Sequence, residues 1–335
     1  MSKTVLVTGG AGYIGAHACK ALAKAGYEPV AYDNLVYGHR EAVRWGPLIE
    51  GDLADRPLLA ETIRQHGIEA VIHFAAYAYV GESIEKPEKY FHNNVVNSFG
   101  LMETLLDTGV KKMVFSSTCA TYGLPETMPI REDTPQHPVN PYGETKLMIE
   151  RALHWHDVAH GLRHVALRYF NAAGADPDGE IGEDHSPETH LIPLILDAAA
   201  GKRAQIDVFG TDYPTPDGTA IRDYIHVQDL AEAHVLALRY LEKGGESLAL
   251  NLGTGTGHSV RDTIAAARRI TGKPIPSRDT TRRPGDPPVL VADATKARAT
   301  LGWAPSLDSL DRIIGTAWAW HQKRFVENPA RKAAH

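Results

Sequence analysis

The sequence predicts an α/β protein built on a doubly wound parallel sheet, with a smaller α/β lobe towards the C-terminus. Two observations carry this expectation. Short β-branched runs alternate with helical patterns through the first half of the chain, and a glycine-rich turn joins the first run to the first helix. With 335 residues, 43% hydrophobic and 23% charged, the chain can build one large domain or two modest ones.

Val5-Leu6-Val7 reads as the first strand, followed by a helical pattern over 16–25. Strands follow at 29–32 and 47–50, a helix at 58–65 and a strand at 70–74. The pattern continues with a long helix over 87–106, a strand at 112–116, a helix after Pro141 and a strand at 164–167. Parallel strands need crossovers, so this order closes most simply as a doubly wound sheet. After about residue 172 the rhythm loosens into Pro-, Gly- and Asp-rich loops at 174–187 and 213–218, separated by strands at 205–209 and 248–252. Helices at 228–241 and 260–271 look like amphipathic cover. We therefore expect a nucleotide-binding domain over 1–172, a second lobe over 173–325 whose chain crosses back to the first domain, and a flexible tail over 326–335.

Composition narrows the partners. A formal charge of −6 with no long Lys/Arg run argues against a nucleic-acid or membrane-surface partner. No run of about 18 apolar residues suggests a membrane span, and the apolar stretch at 4–7 is too short for a signal peptide. Cys19 and Cys119 suggest neither a disulfide framework nor a thiolate metal site, and a reducing cytoplasm fits them. Among 17 histidines, His154, His156 and His160 are close in sequence, but there is no His-Glu-x-x-His and Gly161 interrupts the spacing to His164. No metal is expected.

The turn after the first strand is Thr8-Gly9-Gly10-Ala11-Gly12-Tyr13-Ile14-Gly15. Alone it also fits a plain glycine-rich turn. Where it opens a βαβ unit, Gly9, Gly12 and Gly15 allow a tight turn, close approach of backbone N–H groups to a pyrophosphate, and packing of the helix on the sheet, as in Rossmann-like domains. Asp33 ends the second strand 18 residues after Gly15, where a carboxylate can accept from the adenosine ribose. A 2′-phosphate would face that carboxylate, and Arg40 lies too far along the loop to rescue it, so NAD is expected rather than NADP. Asn34 follows Asp33; Asp52, with Leu53 beside it, could read the adenine edge.

Tyr142-Gly143-Glu144-Thr145-Lys146 places a phenol and an ammonium at i and i+4, on one face of a helix after Pro141. It follows by 24 residues the strand ending Ser116-Ser117-Thr118, on the carboxyl edge of the sheet. A free phenol titrates near 10. A neighbouring Lys146 and a cationic nicotinamide would favour the phenolate, and Thr118 would share the hydrogen bond to a substrate hydroxyl.

These motifs, in this order, resemble the extended short-chain dehydrogenase/reductases. The similarity to the UDP-galactose (UDP-glucose) 4-epimerases spans nearly the whole chain, through Ile72-His73-Phe74-Ala75-Ala76, Val80-Gly81-Glu82-Ser83, Arg168-Tyr169-Phe170-Asn171, His190-Leu191-Ile192-Pro193, Arg222-Asp223-Tyr224-Ile225-His226-Val227 and Arg282-Arg283-Pro284-Gly285-Asp286. The resemblance implies C4 epimerisation through a 4-keto sugar, with NAD retained. It puts Tyr13, Ile14, Phe74, Ala75, Ala76, Asn93 and Phe170 around NAD. Asn171, Arg222 and Arg283 go to the UDP phosphates, Asp286 to the uridine ribose, the Asp207-Val208-Phe209 strand to uracil, His190 and Leu191 to the substrate, and Leu290 beside the sugar 2-position. It also implies a homodimer formed by helices at about 88–106 and 143–159. Ala78 departs from the pattern, because some members carry a cofactor-binding lysine there. Cys119 and Ala120 stand where related dehydratases carry carboxylates, which disfavours elimination. UDP-pentose and UDP-N-acetylhexosamine 4-epimerases are rival readings; a catalytically inactive nucleotide-sugar-binding protein is disfavoured by the intact Thr118, Tyr142 and Lys146.

Overall fold

The computed structural model describes residues 2–283 and 285–326; from residue 327 onward the expected tail lies outside them. In chain order the first half gives β1 (Thr4–Thr8), α1 (Tyr13–Lys24), β2 (Glu28–Asp33), β3 (Leu48–Glu50), α2 (Arg56–Gln65), β4 (Ile68–His73), α3 (Val80–Glu85), α4 (Pro87–Tyr90), α5 (Asn97–Asp107), β5 (Lys112–Thr118), α6 (Pro141–His160) and β6 (Arg163–Tyr169). The second half gives β7 (Asn171–Ala173), α7 (Leu191–Ala199), β8 (Ile206–Phe209), β9 (Ile221–His226), α8 (Val227–Glu242), β10 (Leu248–Leu252), β11 (Gly257–Ser259), α9 (Val260–Thr271), β12 (Ser277–Thr280), β13 (Val289–Leu290), α10 (Thr295–Leu301) and α11 (Leu310–His321).

Seven strands form a parallel sheet in the order β10-β6-β5-β4-β1-β2-β3. Its winding reverses between β1 and β4, and the crevice at the carboxyl ends there is where such sheets hold nucleotides. Both faces of the sheet are covered. Along β1 the side chains alternate, so Val5 and Val7 pack with Leu22, Leu230, Leu238 and Trp303, while Leu6 packs with Tyr32, Leu59, Leu101 and Leu153.

The return of the chain is carried by α8, which packs beside α1, and by β10, which pairs with β6 at the sheet edge. In the rest of the second half, β9 pairs with β7, β11 and β13, and β8 pairs with β12. Leu196, Val208, Ile264, Ile313 and Ile314 of this lobe share a separate core.

One helix departs from expectation. The run over 87–106 is broken by a wide π-type turn at Phe91–Val96 between α4 and α5. Asn94 explains it: its side chain accepts from Tyr77 N at 2.8 Å and donates to Tyr77 O at 3.0 Å, so the helix opens where it is pinned to the loop after β4. No helix among the described residues is long and apolar enough to cross a membrane.

Candidate active site

A cleft of about 1300 Å³ runs along the carboxyl ends of the central strands and into the second lobe. Drug-sized ligands usually occupy about 300 to 1000 Å³, so the cleft has room for two ligands laid end to end.

At its first end, Gly9 has φ +73, and a Cβ there would lie 2.7 Å from Ala75 N. On Gly15 a Cβ would lie 2.0 Å from Gly9 O, so helix and turn can meet only without a side chain. Gly12 caps α1, and no side chain takes up the donors of its first turn; Tyr13 and Ile14 line the cleft beside them. This is the arrangement a pyrophosphate needs. The Tyr13 hydroxyl donates to Gly174 O at 2.6 Å and ties α1 to the segment after β7.

Asp33 accepts from Ala11 N at 3.0 Å and Leu35 N at 2.8 Å. Burial pushes its carboxyl up, and these two N–H groups oppose the shift. Asn34 donates to Asp52 at 2.8 Å, and both line the cleft with Leu53. Arg40 pairs instead with Glu50 on the surface. A second phosphate at Asp33 would meet a buried carboxylate, and like-charge contact costs several kcal/mol. Stripped protein is therefore expected to bind NAD at least about 10²-fold more tightly than NADP by calorimetry, with Asp33→Ala narrowing the ratio; equal affinities would refute the role of Asp33.

Phe74 N and Ala75 N both donate to Thr8 O, at 2.9 and 3.1 Å, which holds the end of β4 against β1; Ala76 and Asn93 complete this wall. Beneath it, His73 joins Thr8 at 2.6 Å to Ser98 at 2.9 Å. Burial, helped by Lys146, lowers His73 to about 3, so it is a neutral strut.

At the middle of the cleft, α6 starts where Asn140 accepts from Gly143 N at 2.8 Å, with Pro141 in the first turn. Tyr142 and Lys146 then face the end of β5. The Lys146 ammonium donates to Ser116 O at 2.8 Å and lies 6.0 Å from the Tyr142 ring centroid. Burial raises the Tyr142 phenol well above its usual range, with Tyr169 adding to the rise and Thr118 opposing it. Burial also lowers Lys146 to about 7, against the upward pull of Glu150. Lys146 and a cationic nicotinamide are expected together to favour the phenolate; in the protein by itself desolvation dominates both side chains.

Sequence reasoning missed the group beneath this pair. Glu150, one helical turn beyond Lys146, accepts from Arg168 Nε at 3.0 Å and Nη2 at 2.5 Å, and from the Ser117 hydroxyl. Its i+4 spacing from Lys146 was the available signal. Cys119, next to Thr118, is a buried thiol pushed up to about 12 by burial. It supplies no acid or base there.

Phe170, just after β6, lines the cleft, and so do Asn171, Leu191, Asp207, Phe209, Arg222, Arg283, Asp286 and Leu290 further along the chain. Val208 does not. Strand alternation turns Asp207 and Phe209 to the cleft and buries Val208 in the lobe core, so only its backbone could meet a ligand. Arg283 lies 4.1 Å over the Phe209 ring. Arg222 forms an ion pair with Asp286, joining two side chains expected on different parts of the ligand. Leu290 packs on Phe170, Tyr122 and Ala292.

His190 lines the cleft but is not free to serve a ligand alone. Its Nδ1 lies 2.8 Å from Glu183 and 3.2 Å from Glu188, and His185 Nδ1 lies 3.2 and 3.6 Å from the same carboxylates. Burial would lower both imidazoles, but the carboxylates carry His185 up to about 9 and His190 up to about 10, and Glu188 falls to about 2. The missed signal is Glu-x-His at 183–185, repeated at 188–190. His154, His156 and His160, by contrast, lie along the outer part of α6.

A glycine turn with room only for backbone, an acidic end to β2, and Tyr142 with Lys146 over the end of β5 define the class: a dinucleotide-dependent enzyme of the short-chain dehydrogenase/reductase type. The chain belongs to the NAD dependent epimerase/dehydratase family, whose model matches residues 5–253. NAD is the cofactor of that family, and Gly9, Gly12, Gly15 and Asp33 fit it. The UDP-glucose 4-epimerase of Streptococcus mutans is 54% identical over 320 residues, covering 95% of this chain and 96% of the relative. That of Rhizobium leguminosarum bv. trifolii is 54% identical over 321 residues, covering 96% and 98%. The crystal structure of UDP-glucose 4-epimerase from Brucella ovis in complex with NAD is 54% identical, with a TM-score of 0.93 over 95% of this chain and 98% of that one.

Proposed function

We infer that this protein interconverts UDP-glucose and UDP-galactose by reversible oxidation at C4 of the hexose. One observation carries the reading: a single cleft joins a dinucleotide cradle to a lobe presenting Arg222 and Arg283, with Tyr142 and Thr118 at the junction. When bound, NAD supplies a hydride acceptor and later a donor for C4.

The chain's own groups do the rest. Tyr142 takes the proton of the 4-hydroxyl as the sugar becomes a 4-ketose and returns it in the second half-reaction, while Thr118 shares that hydrogen bond. Lys146, held by Ser116 O, gives the phenolate a nearby positive charge. Arg222, Arg283 and Asn171 hold the diphosphate, which an acidic protein must neutralise locally. With UDP held at that end, the ketose alone turns and presents its other face. There is no net redox change, so the cofactor need not leave. Purified protein should convert UDP-galactose to UDP-glucose with no added oxidant; dependence on freely exchanging NADP would overturn the reading.

Leu290 sets the expected breadth towards other sugars. It is packed, apolar and smaller than a tyrosine, so it leaves space beside the 2-position. Steric gating by a small group is worth about 1 to 3 kcal/mol. UDP-N-acetylglucosamine should therefore turn over about 10- to 200-fold less efficiently than UDP-glucose, and Leu290→Ala should narrow the gap in kcat/KM. An N-acetyl substrate inert to both proteins would show that Leu290 is not the gate.

Self-association into a homodimer uses the face where α5 and α6 expose Phe99, Trp155 and Val158. Scattering at micromolar concentration should give twice the chain mass. The two free, buried thiols fit residence in a reducing cytoplasm.

A further inference from the structure

We propose that Glu183, His185, Glu188 and His190 bind one divalent cation of zinc type in a closed, four-ligand structural site in the cleft wall. The four side chains come from the segment that runs into α7, and each offers one ligand atom within 4.8 Å of the others. The four imidazole-to-carboxylate distances are 2.8, 3.2, 3.2 and 3.6 Å. A tetrahedron of N and O ligands about 2.0 to 2.2 Å from zinc has edges of about 3.3 to 3.6 Å. All six edges lie within 4.8 Å, so closing the set around an ion draws the longest of them in by up to about 1 Å.

His190 fits an ion pair as well as a metal, with Nδ1 hydrogen-bonded to Glu188 at 3.2 Å and 2.8 Å from Glu183, but His185 fits an ion pair less well. His185 Nδ1 is buried and has no hydrogen-bond partner, although a carboxylate oxygen lies 3.2 Å away. An imidazolium would aim its N–H at an oxygen; a neutral imidazole would aim a lone pair at a shared centre. The Tyr79 hydroxyl, on a ring 6.2 Å from that of His185 and 6.5 Å from that of His190, is a second buried polar atom with no partner. Glu188 is fixed for the task, since Oε1 accepts from Thr189 N at 2.7 Å and His190 N at 2.8 Å. Glu183 has a side chain only 8% exposed, and buried carboxylates are paired or bind metal.

The neighbouring acidic group shows the contrast. Asp176, Asp178 and Glu180 also converge, but the Lys20 ammonium sits among them at 2.8, 2.7 and 2.7 Å and takes the place of an ion. On taking up a dication the two imidazoles would release their protons, and the two carboxylates would balance its charge. Four protein ligands leave no open position, so the ion would brace the wall where the second ligand rests and would not activate water.

Full-length protein treated with chelator and desalted should take up one equivalent of zinc from ZnCl2 in calorimetry, with a submicromolar Kd and a raised Tm. The double variant His185→Asn, Glu188→Gln should bind at least about 100-fold more weakly. Crystals of zinc-loaded wild-type protein should give an anomalous peak about 2.0 to 2.2 Å from all four side chains, which decides the matter even if the variant fails to fold. Zinc affinity unchanged in the variant, or no anomalous peak between these side chains, would overturn the site.

Discussion

Tyr142→Phe is expected to lower the turnover of UDP-galactose by about 10²- to 10⁴-fold, the usual contribution of a positioned acid-base group. The change removes one oxygen and little else. Tyr142 is held by backbone contacts, its N–H donating to Ser83 Oγ at 3.2 Å and its carbonyl accepting from Thr145 Oγ1 at 2.7 Å, and phenylalanine keeps both. Folding and NAD content should therefore match the wild type. The pH profile separates a chemical role from a structural one. Burial holds the phenol up, so the fraction able to accept a proton grows with pH, and kcat/KM should rise on the acid side of its optimum. The variant should lose that rising limb as well as the rate. Near-normal turnover, or an unchanged profile, would remove Tyr142 from the chemistry.

Glu150→Ala should destabilise the protein by about 3 to 5 kcal/mol, the cost of leaving a buried charge without its partner. Glu150 and Arg168 side chains are 8% and 7% exposed, and Arg168 reaches the carboxylate through Nε and Nη2. No water can replace the lost carboxylate cheaply. Because Glu150 is also the group that holds Lys146 up against burial, the variant should lose ammonium character at Lys146 and turn over more slowly. Denaturant midpoints measure the first effect. The pair Glu150→Leu with Arg168→Met should recover much of the stability, since neither charge is then stranded. A loss below about 1 kcal/mol for Glu150→Ala would place the pair among weak surface ion pairs.

The order of strands and helices through β6 was legible because it is written locally, in β-branched runs, helical periodicity and the glycines of the first turn. So was the placement of Asp33, Tyr142 and Lys146 at the carboxyl edge, since spacing along a strand or helix fixes their direction. Features made by contacts across the fold were not. The π-type turn before α5 depends on Asn94 meeting the backbone of Tyr77, and Glu150 needs a partner 18 residues away. Val208 looked like a ligand contact until the pairing of β8 fixed which face meets the cleft. β11 and β13 span only Gly257–Ser259 and Val289–Leu290, too short to carry a pattern, and exist because β9 offers edges to pair with. The Glu-x-His repeat lies in a loop, where no periodicity announces which side chains converge.

If one carbon of the sugar is oxidised and reduced within a single cleft, the hydrogen at C4 never meets solvent. UDP-galactose carrying deuterium at C4, incubated with the purified protein and no added oxidant, tests it most directly. UDP-glucose with the deuterium retained at C4 is the expected product, because the hydrogen leaves and returns within that cleft. Product bearing solvent hydrogen at C4, or no conversion by protein that carries NAD, would contradict it.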